Sequence, residues 1–119
     1  MRSIKEWQVI CYKIAVEKGW WDKPRSPLES AALIHSEISE YVEDIRNGMG
    51  PGTFEFEPPK ENHKEGDPFK PIGPAIELAD ALIRIFDLAE YHKINLEDML
   101  ELKTAFNKTR PYRHGGKLA

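Results

Sequence analysis

In the stretch LIHSEISEYVEDIR, Leu33–Arg46, three acidic residues stand at Glu37, Glu40 and Asp44. Their spacing is i, i+3 and i+7, which on a helix stacks the carboxylates on one side. Exposed like charges at helical spacing repel by about 0.2–0.5 kcal/mol per pair. Near a core the cost rises unless something cationic lies between them. Glu77 and Asp80 repeat the i, i+3 pattern further along, with Asp87 near the same stripe and Arg84 between them as an available counter-ion. At about 100° per residue, Glu77 and Asp80 flank Ile76 and Ile83, and Glu37 lies beside Ile34 and Tyr41. Two neighbouring helices would bring Glu37, Glu40, Glu77 and Asp80 together at the edge of a core. Carboxylates so placed take up protons, pair with basic side chains or bind a hard cation. Magnesium prefers oxygen ligands and keeps several waters, often beside substrate phosphates. A single ExxE is most simply a solvated acidic face. Two of them, each on a helix with a strong apolar face, favour the cation.

A site with four acids needs basic groups for phosphate not covered by metal. Lys103, Asn107 and Arg110 fall at i, i+4 and i+7, one face of a helix that extends that far. Arg113, His114 and Lys117 follow on a chain loosened by Gly115 and Gly116. Arginine grips phosphate bidentately and lysine acts as a point charge. The alternative for these residues is a solvated basic tail. For a nucleobase the aromatic choices are Trp20 and Trp21, with Asp22 as a polar reader. Adjacent rings in a connector point different ways, so one can pack inward while the other stacks. Trp7 and Cys11 sit on an apolar face and read as core. His35 lies beside the acidic motif but reads as a packed or surface residue.

Four helices must position these groups. Ile4, Trp7, Cys11, Ile14 and Ala15 repeat at helical spacing from about Ser3 to Lys18, with Ser3 and Glu6 as a capping box and Gly19 as a stop. A second helix runs from about Pro27 to Asn47, capped by Ser26, with Ala31, Ile34, Ile38, Tyr41, Val42 and Ile45 apolar. A third runs from Pro74 to about His92 and, with Ile76 and Ile83 widening its apolar side, is the most buried. Asn95 caps a fourth, from about Leu96 to Asn107 or slightly beyond. Residues 48–74 are dense in Gly and Pro and read as one long loop. Its segment Phe54-Glu55-Phe56-Glu57 alternates like a strand but is assigned to the loop. A loop of that length is usually functional or mobile. The expected fold class is all-α, with a single domain over 1–119 and a flexible basic tail from about 108 to 119.

Composition narrows the setting. The chain has 119 residues, 40% of them hydrophobic, and a net charge of −3. A chain of this size supports one modest core, and oligomerisation would supply the rest. The acidic balance argues against broad affinity for a nucleic-acid polymer. One cysteine excludes an internal disulfide and a CxxC metal motif, which fits a reducing cytoplasm. The N-terminus lacks the apolar segment of a signal peptide, and no run approaches the roughly 18 apolar residues of a membrane span.

LIHSEISEYVEDIR followed by IELADALIRIFDLAE resembles the all-α nucleoside triphosphate pyrophosphohydrolases of the MazG-like superfamily. That signature is ExxE on one helix and ExxD on the next, with a variable insertion between. Glu37-Ile-Ser-Glu40 and Glu77-Leu-Ala-Asp80 match it at every acidic position. Relatives often double the first acid, where Ser36 stands here, which bears on how many metals bind. The resemblance covers roughly Trp7 to Lys117. It implies a four-helix bundle with a long loop between helices 2 and 3, and cleavage of an NTP or dNTP to the monophosphate and pyrophosphate. It also implies Mg2+ (or Mn2+) on Glu37, Glu40, Glu77 and Asp80; a carboxylate not fully engaged by metal could accept the water's proton, and Glu40 is assigned that role. Relatives use a Lys-xxx-Asn-xx-Arg pattern around the triphosphate, which falls on Lys103, Asn107 and Arg110, with Arg113 beyond. Relatives also pair subunits, so a homo-oligomer, dimer or tetramer, is expected.

Two other classes compete. A di-iron carboxylate bundle needs Glu-x-x-His on two helices, and none occurs here. A non-catalytic helical oligomerisation or partner-binding module with a residual metal site remains the alternative.

Overall fold

A computed structural model describes residues 1–118, and Ala119, the last residue of the expected tail, lies outside them. The chain is mostly helical. Its order is α1 (Ile4–Glu17), α2 (Pro27–Arg46), β1 (Glu55–Glu57), β2 (Lys70–Ile72), α3 (Pro74–Tyr91), α4 (Leu96–Thr109) and a short turn α5 (Arg113–Gly116). The helix ends follow local chemistry. Ser3 Oγ accepts from the Glu6 N–H while the Glu6 carboxylate accepts from the Ser3 N–H. Ser26 and Asn95 cap α2 and α4 through the N–H groups of Glu29 and Asp98. At Arg110 the backbone turns extended, so α4 stops at Thr109 before Pro111.

The segment expected as one loop contains a strand pair. β1 and β2 are antiparallel, with Phe56 opposite Pro71 and Glu57 opposite Lys70. The hairpin is anchored where it meets α3. The Thr53 carbonyl accepts from the Ala75 N–H at 3.2 Å. Gly73 takes φ 120°, and a Cβ there would lie 3.0 Å from both Phe54 Cα and the Thr53 carbonyl oxygen. Only glycine permits that conformation and approach. A two-stranded pair is marginal alone, so this docking supports it.

The helix α3 is central, with α1 and α2 both packed on it. Their contacts run through small residues, since Cys11, Ala15, Ala81 and Ala89 are buried there, with Pro74 fully buried at the start of α3. Helix α4 docks on α1, and none of its residues is buried. Gln8 makes that joint. It is fully buried, donates from Nε2 to the Ile94 carbonyl at 2.8 Å and accepts the Leu96 N–H at Oε1. One chain therefore builds a three-helix body with a fourth helix attached, not a closed four-helix bundle. Its radius of gyration, 17.6 Å, exceeds the roughly 13–14 Å of a compact chain this long.

Two expected faces are rotated. The buried stripe of α1 is Gln8, Cys11 and Ala15, so Trp7, expected in the core, is 38% exposed beneath the Arg2 guanidinium. In α2 the buried positions are Ser30 and Glu37, leaving Ile38, Val42 and Ile45 exposed. Leu78 and Leu82 of α3, and Met99, Leu100 and Phe106 of α4, are exposed as well. No helix of the described residues is long and apolar enough to cross a membrane.

Candidate functional site

The packing of α2 on α3 turns Glu37 inward, toward the first turns of α3. Glu37, Glu40 and Glu77 each place a carboxylate oxygen within 4.8 Å of the others. The three differ in depth: Glu37 is buried, Glu77 half-buried and Glu40 exposed. Oε2 of Glu77 is shielded from solvent and has no hydrogen-bond partner. Burial, then the hydrogen bond and charge of Glu40, then Asp80 and Glu37, push the Glu77 carboxyl up to about 8. Asp80, expected as a fourth ligand, stands beside this trio rather than within it. Its carboxyl is raised by burial and by Glu37 and Glu40, against the pull of Arg84. Asp44 is outside the trio, half-buried, with Oδ2 unpartnered.

Arg84 pairs across the helices. Its Nε donates to Glu37 Oε1 at 2.7 Å, where the sequence suggested a counter-ion for its own helix. The bond occupies one oxygen of Glu37 and leaves the other for a ligand. An all-oxygen donor set with one buried acceptor lacking a partner fits a hard divalent cation.

The two tryptophans divide as adjacent rings should. Trp21 stacks on Tyr91 at 3.8 Å between ring centroids, and Arg25 lies 4.5 Å over the ring. Its indole donates to Asp87 Oδ1 at 2.8 Å. The ring and the polar edge of Trp21 are therefore engaged within the chain. Trp20 is 67% exposed and stands at the mouth of a cavity of about 230 Å³ between α1, α2 and α3. Cys11, Ile14, Ile83, Glu37, Asp80 and Asp87 contribute to its lining. Asp22 lines a different, more open cleft that Trp20 and Arg25 also border. Arg25 and the Trp21–Asp87 bond were not legible as site features. The i+7 spacing of Asp80 and Asp87 was the available signal.

The basic residues are not brought to the acids within one chain. Lys103 and Arg110 lie 5.2 and 5.8 Å over the Phe106 ring, and Arg113 lies over Tyr112. No hydrogen bond or ion pair among the described residues links Lys103, Asn107, Arg110 or Arg113 to the trio. His35 is exposed, while Cys11 is buried as expected, its thiol raised by burial and by Asp87.

Comparison with protein families, with curated proteins and with solved structures gives no match.

Proposed function

We propose that the chain is a metal-dependent nucleoside triphosphate pyrophosphohydrolase of the MazG-like kind, cleaving an NTP or dNTP to the monophosphate and pyrophosphate. One observation carries it: carboxylates from two helices converge around a buried, partnerless oxygen of Glu77. Glu37, Glu40 and Glu77, with Asp80 adjacent, would hold Mg2+ or Mn2+. When bound, the cation screens the triphosphate charge and stabilises the charge that develops on the reacting phosphoryl oxygens.

The protein's own residues supply the rest. Glu40 is the most exposed of the trio, so it can meet an incoming water and accept its proton as the oxygen attacks phosphorus. The bond between the α and β phosphates breaks, and pyrophosphate leaves. Arg84 keeps Glu37 oriented through its 2.7 Å bond. Trp20 stands open at the neighbouring cavity, free to stack on the base. Lys103, Asn107, Arg110 and Arg113 grip the phosphates from a neighbouring subunit, since in their own chain they do not contact the trio. The uncovered Ile38, Val42, Leu78, Leu82 and Phe106 support a homo-oligomer, dimer or tetramer, that completes the four-helix packing. A cytoplasmic setting suits the single buried thiol.

The same uncovered faces favour a second reading, a non-catalytic oligomerisation or partner-binding module with a residual metal site. Incubation with Mg2+ and each common ribo- and deoxynucleoside triphosphate separates the two. Monophosphate plus pyrophosphate from any of them supports the hydrolase. Diphosphate plus phosphate means a different bond is cut. No product in Mg2+ or Mn2+ favours the module.

A further inference from the structure

The cavity beside the acidic trio has a defined chemistry of its own. Glu37 and Asp80 form its border with the metal cluster. Two turns further along α3, about 10 Å at 1.5 Å per residue, Asp87 lines the same space. Ile14 and Ile83 line it too and remain about half exposed, as does the more open Trp20. These are apolar surfaces left for a flat ring. Arg25, Arg84 and Asp87 also line it, and of these three Asp87 is the acceptor. It is 9% exposed, and the indole of Trp21 holds its Oδ1 at 2.8 Å. Oδ2 has no hydrogen-bond partner among the described residues, and neither Arg25 nor Arg84 pairs with the carboxylate. Tyr91 and Arg25 pack on Trp21 and fix the indole, so the carboxylate can swing only by giving up that 2.8 Å bond. It is an acceptor with one oxygen held by the indole and, among the described residues, no hydrogen-bond donor on the other.

We infer that Asp87 is a specificity-determining residue, its free oxygen accepting a hydrogen bond from the exocyclic amino group of a nucleobase held between Trp20, Ile14 and Ile83. The bases selected are cytosine and adenine, which carry an amino group where uracil, and hypoxanthine and guanine, carry a carbonyl. A carbonyl at that point would set one acceptor against another and leave both unpaired, which a site built for a donor rejects strongly. The inference rests on the nucleotide-hydrolase reading for the direction of the substrate, phosphates on the trio and base toward Asp87.

Binding of the monophosphates tests the inference without requiring turnover. Affinities of dCMP, dUMP, dAMP and dIMP are measured by calorimetry for the wild type and Asp87→Asn, with cleavage of the matching triphosphates followed in parallel. Asparagine keeps an oxygen for the Trp21 indole and turns an N–H2 donor toward the cavity. The wild type should prefer the amino base by about tenfold or more in at least one matched pair, and Asp87→Asn should reverse that order. A preference in the cytosine pair alone means a slot for a single ring. In the adenine pair alone, it means one for a bicyclic base. Equal affinity within both pairs in the wild type overturns the assignment whatever the variant does. So does an order unchanged by a folded Asp87→Asn, or no measurable binding of any of the four. Amino-base preference without cleavage of any triphosphate leaves Asp87 as the reader and removes the hydrolase.

Discussion

Arg84 donates from Nε to Oε1 of Glu37 across 2.7 Å and so ties α3 to α2 beside the carboxylates the two helices share. Glu37 is the more deeply buried partner, at 7% exposure. Without Arg84 it would have neither water nor countercharge. Arg84→Met should therefore lower the stability of the metal-free protein by about 1–3 kcal/mol, the cost of an unpaired buried acceptor. Millimolar Mg2+ should recover part of the loss, because a cation replaces the missing charge. Denaturant unfolding with and without Mg2+ checks both; equal losses in the two conditions would mean that Arg84 acts only through packing.

Glu77 gives the metal-free protein a pH dependence. Its carboxyl is raised from 4.5 to about 8, chiefly by burial and then by Glu40. Between those values the folded state holds a proton that the unfolded state has released. Stability should then fall as pH rises through that window, since the folded state binds more protons. Cation binding displaces the same proton, so Mg2+ affinity should rise over the same range. The melting temperature of the metal-free protein should decline from pH 5 to pH 8, and Glu77→Gln or saturating Mg2+ should flatten the decline. An unchanged slope in Glu77→Gln would assign the titration to another group.

Glu40→Gln and Asp80→Asn should each lower turnover by at least about a hundredfold, the lower range for loss of a positioned acid–base group. Both should keep a cooperative unfolding transition, because Glu40 is exposed and the Arg84–Glu37 ion pair that ties the helices is left intact. Arg110→Ala should raise KM with little change in stability. Steady-state kinetics beside circular dichroism separates these effects. Full activity in either acidic variant would remove the role assigned to it.

The adjacent tryptophans should respond in opposite ways. Trp21→Phe keeps the ring stack on Tyr91 but removes the donor to Asp87, at a cost of about 1–3 kcal/mol. Trp20→Ala should shift stability by no more than about 0.5 kcal/mol while weakening nucleotide binding. Chemical unfolding and nucleotide titration of both variants would show the split, and a stable Trp21→Phe would contradict the locked carboxylate.

Leu78 and Leu82 lie exposed on the central helix of an open body. Sedimentation should show a species heavier than the 13.7 kDa chain. Leu82→Asp should shift it toward the monomer and reduce turnover, because the basic face of α4 would no longer reach a neighbour's acids. A monomeric, active wild type would remove the assembly from the mechanism.

The helices and their ends were legible because they are set locally. Ser3, Ser26 and Asn95 cap where their short polar side chains predict, and Pro27, Pro74 and Pro111 mark boundaries through their fixed φ and missing donor. The acidic pairs were legible for the same reason, since helical spacing alone puts Glu37 near Glu40 and Glu77 near Asp80. What lay beyond the sequence is how each helix is rotated about its axis. Periodicity identifies an apolar stripe but not which neighbour covers it. So Gln8 rather than Trp7 fills the α1 face, and Ile38 and Val42 are left outward while Glu37 turns in. Only the tertiary structure paired Arg84 with Glu37, joined β1 to β2 across a gap in sequence and locked Trp21 against Asp87. Each of these depends on distances between residues far apart in the chain. Local sequence sets which conformations a segment favours; three-dimensional packing decides which side chains meet.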